Sequence, residues 1–134
     1  MAQILVVDDE AAIRAVLEKM LSRWNHETLT AVNGLDALEQ CRKHVPDLAM
    51  VDLYMPGMNG LQFLSAAKDE FPDLPVIAMT GQPNSASLVS LAAAKCFGSS
   101  ILRKPFDVQQ ISILVCDALG LDWESAMTDY AATP

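Results

Sequence analysis

At 134 residues, 51% of them apolar and 19% charged, the chain has the length of one domain and enough apolar content to bury a core. A net charge of −8 argues against nonspecific nucleic-acid binding by this domain and is compatible with a site that attracts a divalent cation. No apolar run approaches transmembrane length, and residues 1–3 lead straight into a strand without a signal peptide, so a soluble cytoplasmic protein is expected. Ile4-Leu5-Val6-Val7 is an apolar, β-branched run and reads as a buried strand. It ends in Asp8-Asp9-Glu10, three adjacent acids that repel one another. Two compatible roles follow: Asp8 or Asp9 caps the next helix, and the acids hold a hard cation through carboxylate oxygens.

A helix is expected over 11–22, with Ile13, Val16, Leu17, Met20 and Leu21 forming one apolar stripe. Residues 27–32 form a shorter, more polar strand suited to a sheet edge. Asn33-Gly34 starts a second helix through 44, with Leu35, Leu38 and Cys41 inward, and Pro46-Asp47 breaks it. Leu48-Ala49-Met50-Val51 is a third strand ending at a single carboxylate, Asp52. Met55 precedes proline and is biased toward extended geometry, and Pro56-Gly57 signals a turn. A third helix covers 61–71, with Leu61, Leu64, Ala67 and Phe71 inward. Val76-Ile77-Ala78-Met79 is a fourth strand, ending at Thr80-Gly81, and a fourth helix rich in small residues spans 85–96. Ile101-Leu102-Arg103 is a short fifth strand ending at Lys104-Pro105. Asp107 caps a fifth helix whose stripe is Val108, Ile111, Leu114, Val115 and Ala118, and Gly120 ends it. Cys41, Cys96 and Cys116 form no CxxC pair and read as reduced thiols, and His26 and His44 lack ligand spacing.

Strand alternates with helix five times, the pattern of an α/β fold with a parallel sheet covered on both faces. Ligands bind such sheets beyond the carboxyl ends of the strands. Right-handed crossovers bring those ends to one edge. Asp8 and Asp9 follow the first strand, Asp52 the third, Thr80 the fourth and Lys104 the fifth. Carboxylates, a hydroxyl and an ammonium together suit phosphoryl transfer. One carboxylate can act as nucleophile, others can hold Mg²⁺, and the cations and hydroxyl offset charge on the phosphoryl oxygens.

At these residues the chain resembles the receiver domain of two-component response regulators, over residues 2–119. The resemblance rests on the acidic pair, on Asp52-Leu53-Tyr54-Met55-Pro56-Gly57-Met58-Asn59-Gly60, on Met79-Thr80-Gly81 and on Lys104-Pro105-Phe106, in order on a (βα)5 pattern. It implies a flavodoxin-like three-layer sandwich with a five-stranded sheet of order 2-1-3-4-5. It also implies an aspartyl phosphate: Asp52 takes a phosphoryl group from a phosphohistidine on a sensor histidine kinase or phosphotransfer protein. That reaction depends on Mg²⁺ or Mn²⁺ and switches a protein-interaction surface. Such a phosphoprotein is no enzyme beyond its own phosphoryl transfer and dephosphorylation. Asp8 and Asp9 match the acidic pair, with Asp9 favoured as the direct metal ligand beside Asp52 and the Tyr54 backbone carbonyl. Thr80 matches the switch hydroxyl. Lys104 matches the cation that pairs with Asp52 and then with the phosphoryl group, before a cis bond to Pro105.

Two positions depart from the family pattern. Ile101 stands where a Tyr or Phe usually turns inward on activation, and isoleucine has no ring to swing and is stiff at χ1, so that switch is expected to be absent or altered. Tyr54 puts a bulky phenol where side chains influence hydrolysis of the acyl phosphate. Three alternatives compete. A nucleotide- or flavin-binding module needs an N–H-donating loop after the first strand, but Asp8-Asp9-Glu10 repels phosphate and no P-loop or GxGxxG occurs. An aspartate-nucleophile phosphatase needs a second acid where Tyr54 stands. A docking or dimerisation receiver would signal without phosphorylation, with the face of the fourth helix, fifth strand and fifth helix, carrying Ile101 and Ile113, as its homodimer surface. Residues 120–134 read as a tail or the start of a linker. The chain is then either a stand-alone receiver acting on a downstream protein or the N-terminal part of a longer regulator with an output domain.

Overall fold

Each apolar run of the sequence becomes a strand in the computed structural model, which describes residues 2–54, 60–81 and 100–122. Strands β1 (Gln3–Val7), β2 (Glu27–Ala31), β3 (Leu48–Asp52), β4 (Val76–Thr80) and β5 (Ser100–Arg103) pair in parallel in the order β2-β1-β3-β4-β5. The described helices are α1 (Ala11–Arg23), α2 (Gly34–Lys43), α3 (Gly60–Glu70) and α4 (Val108–Leu119), the last being the fifth expected from sequence. The expected fourth helix at 85–96, the turn at 55–59, Cys96 and the chain from Trp123 onward lie outside the described residues. No described helix is long and apolar enough to cross a membrane.

Successive strand side chains point to opposite faces, and both faces are covered. Ile4, Val6, Leu48, Met50, Ile77, Met79 and Leu102 pack with Leu17 and Leu21 of α1 and Ile111 and Val115 of α4. Leu5, Val7, Ala49 and Val51 pack on the other side with Ala37, Leu38 and Cys41 of α2 and Phe63 and Ala67 of α3. β2 lies at the sheet edge, in keeping with its polar sequence.

Two expected core residues are exposed. Val16 is 45% and Leu35 53% accessible. The α1 seam runs through Ile13, Leu17, Met20 and Leu21, and Val16 sits on its flank. The α2 seam is Gly34, Ala37, Leu38 and Cys41, so Leu35 is turned about 100° from it. Phe63 is fully buried on α3 although the sequence pattern favoured Leu61. Helix ends follow local chemistry: Asn33 and Asp107 accept from the amides of Asp36 and Gln110 at 2.8 and 2.7 Å. Gly120 closes α4 at φ 71°, a left-handed conformation that favours glycine. Neither Asp8 nor Asp9 caps α1. Its N-cap is Glu10, without a side-chain capping bond.

Candidate functional site

The site is a consequence of strand phase. Ile4 and Val6 face α1 and α4, so Asp8, two residues on, continues that face beyond β1. Asp52 follows Leu48 and Met50 in the same phase, and Lys104 follows Leu102. Val7 pairs with Val51, and the next residues along, Asp8 and Asp52, are therefore neighbours. Lys104 reaches both: its Nζ donates to Asp8 Oδ2 at 2.9 Å and to Asp52 Oδ2 at 3.2 Å, with Glu10 Oε1 at 4.0 Å. The Lys104 amide donates to the Thr80 carbonyl at 2.7 Å, extending the β4–β5 ladder, and the Lys104–Pro105 bond is cis.

Both central carboxylates are buried, Asp8 completely and Asp52 to 4% exposure. Burial pushes the Asp52 carboxyl above its ordinary range. The amide of Tyr54, which donates to Asp52 Oδ1 at 3.0 Å, and the Lys104 charge oppose that rise, while the Asp8 charge adds to it. For Lys104, burial favours the neutral amine, but its bond to Asp8 and the attraction of Asp52 outweigh it and hold the ammonium above its usual range. Thr80 is buried at the end of β4, and its Oγ1 has no hydrogen-bond partner among the described residues. A buried hydroxyl can both donate and accept, so Thr80 is able to bond an oxygen brought to these strand ends.

Carboxylate oxygens of Asp8, Asp9 and Glu10 lie within 4.8 Å of one another. Hard oxygen donors clustered this way fit Mg²⁺ or Mn²⁺. Asp9 and Glu10 are exposed and accessible to an ion, whereas Asp8 is buried. The grouping agrees with the reading of the three adjacent acids as a cation site and adds Glu10 to the pair that the family resemblance supplied. Asp52 joins the cluster through the Lys104 ammonium. Tyr54, two residues past Asp52, is 42% exposed. Ile101 is partly buried against Leu53, Leu64 and Ala78. Gly60 starts α3 against the main chain of β3's end: a Cβ there would meet the Asp52 carbonyl oxygen and lie 2.7 Å from the Leu53 Cα. Only glycine permits this approach.

The model of the response regulator receiver domain family matches residues 4–115. The chain is 38% identical over 117 residues to the DNA-binding transcriptional regulator NtrC of Escherichia coli (strain K12), covering 87% of this chain and 24% of that protein. It is 34% identical over 110 residues to sporulation initiation phosphotransferase F of Bacillus subtilis (strain 168), covering 81% of this chain and 86% of that one. It thus spans about a quarter of the NtrC protein's length. A solved response regulator receiver domain protein from Clostridium thermocellum superimposes with a TM-score of 0.82 at 30% identity, over 90% of this chain and 95% of that one. Family match and sheet order agree, and the chain belongs to the response regulator receiver domains of two-component systems.

Proposed function

We propose that this receiver accepts a phosphoryl group on Asp52 from the phosphohistidine of a sensor histidine kinase or phosphotransfer protein. The observation that carries the proposal is the meeting of a buried carboxylate, a bridging ammonium and a buried hydroxyl at neighbouring strand ends. In the reaction a carboxylate oxygen of Asp52 attacks phosphorus. The P–N bond breaks, and the imidazole leaves with the bonding pair. Lys104 exchanges part of its contact with Asp52 for the incoming phosphoryl oxygens. Thr80, whose Oγ1 has no partner among the described residues, supplies a hydrogen bond to one of them. Asp8, Asp9 and Glu10 would hold Mg²⁺ or Mn²⁺, with Asp52 and the Tyr54 carbonyl as further ligands. When bound, the metal offsets charge on the phosphoryl oxygens.

The Tyr54 phenol, at the site's exposed edge, is proposed to shield the acyl phosphate from water. Ile101 stays packed, so signalling leans on Thr80 and the chain that follows it. Residues 2–119 form the receiver and 120–134 a tail or linker, acting in the cytoplasm on a downstream protein or an output domain. The first test is intact mass after incubation with acetyl phosphate and Mg²⁺, beside Asp52→Asn. Gain of one phosphoryl group by the parent alone, abolished by EDTA, is the expected result. Equal gain by Asp52→Asn would remove Asp52 from its role. No gain by a parent that binds Mg²⁺ would favour a docking receiver that signals without phosphorylation.

A further inference from the structure

Asp8 has every polar atom engaged, each by a different part of the chain. Its amide donates to the Ala31 carbonyl at 3.1 Å. Its Oδ1 accepts from the Glu10 amide at 2.9 Å and its Oδ2 from Lys104. Its main-chain carbonyl accepts from Arg14 Nη1 at 2.7 Å. The last bond is the one with no evident packing purpose. Arg14 lies on the first turns of α1, half-buried, and its guanidinium reaches back to the strand end. Helix α1 has no side-chain cap, so its junction with β1 is held by the Arg14 bond and by the Glu10 amide on the Asp8 carboxylate.

We infer that Arg14 is a positioning residue for the acidic cluster. By fixing the main chain at Asp8, it holds Asp8, Asp9 and Glu10 in the grouping that brings their oxygens within 4.8 Å of one another. Three like charges in one turn would otherwise spread apart. The inference rests on the metal-dependent reading above.

The sign of the effect separates positioning from plain electrostatics. A cation beside three acids weakens binding of a second cation, so removing its charge alone would tighten Mg²⁺ binding. Removing a bond that organises the ligands weakens it, about tenfold for outer partners of metal ligands. The test is calorimetric titration of the parent, Arg14→Met and Arg14→Lys with MgCl₂, without phosphodonor. Methionine keeps most of the apolar stem, and lysine keeps the charge and one donor. Arg14→Met is expected to bind about tenfold more weakly, with Arg14→Lys recovering most of the loss. Arg14→Leu, which likewise has no donor, carries the same expectation should the methionine variant not fold. A parent that binds Mg²⁺ with Arg14→Met binding equally or more tightly would overturn the inference alone. A parent that binds no Mg²⁺ would overturn the functional proposal and this inference with it.

Discussion

Replacing Lys104 with methionine removes the single charge that lies between two buried carboxylates. The ammonium sits 2.9 Å from Asp8 and 3.2 Å from Asp52, and its side chain is 17% exposed. At an effective dielectric of about 20, each contact corresponds to about 5 kcal/mol of attraction before desolvation is counted. Desolvation cancels much of that. Measured losses for breaking a buried pair from one side are about 3–5 kcal/mol. Asp52 already sits above its ordinary range and can take up a proton, which limits the loss. We therefore expect Lys104→Met to cost about 3 kcal/mol at pH 7, near the lower end of that range. For a chain of this size that lowers Tm by about 10 °C. The pH dependence has a fixed sign. Without Lys104 the folded-state Asp52 carboxyl moves further above its unfolded value, so the variant loses stability as pH rises through that window. The gap from the parent should close as pH falls through that window and Asp52 protonates. Urea denaturation followed by circular dichroism at pH 7 and pH 4.5 measures both quantities. Equal stability of parent and variant at pH 7, or a gap that widens on acidification, would refute the reasoning.

Four further outcomes are expected. Burial pushes the Cys41 thiol up to about 11, so its thiolate is scarce at pH 8 and alkylation by iodoacetamide should require unfolding. Labelling of Cys41 in native protein at the rate of a free thiol would contradict its placement in the core. Burial lowers the His26 pKa against the pull of Asp47, and its Nδ1 accepts from the Ala2 amide at 3.1 Å. The unfolded chain then binds the proton more readily, so this contribution to stability is lost as pH falls below about 6.5. An imidazole titrating at or above that value by NMR would show the sign to be wrong. Tyr54→Ala should shorten the lifetime of the phosphorylated form severalfold, and an unchanged rate of phosphate release would end the shielding idea. The Ile101 methyl carbons should keep their rotamer-sensitive NMR shifts on phosphorylation, since the side chain is wedged against Leu53, Leu64 and Ala78. A change of χ1 rotamer would restore a switch at this position.

The sheet was legible because every strand but the polar edge strand β2 is a short apolar run that stops at a polar residue. Asp8, Asp52, Thr80 and Lys104 are those stopping points, so finding the strand ends also found the candidate site. The helices were less legible, because an apolar stripe read at i, i+3 and i+4 is wider than the seam that packs. Val16 and Leu35 fit the pattern and still face outward. Glu10 was legible as one of three adjacent acids suited to a cation, and only the acidic pair supplied by the family resemblance left it out. The Arg14 bond could not be read at all. It ends on a main-chain carbonyl, which every residue possesses, and its meaning depends on where α1 turns back over β1. The Gly60 approach is of the same kind: the sequence offers a glycine at a helix start, and only the packed backbone shows that a side chain would collide with β3.

The most direct test of the central claim is the chemical location of the phosphoryl group. The protein, phosphorylated with acetyl phosphate and Mg²⁺, is reduced with borohydride, which converts an aspartyl phosphate to homoserine, and its peptides are sequenced by mass spectrometry. The account predicts homoserine at position 52 alone. Homoserine at position 8 or 9, or a phosphoryl group on Thr80 or a histidine, would contradict it.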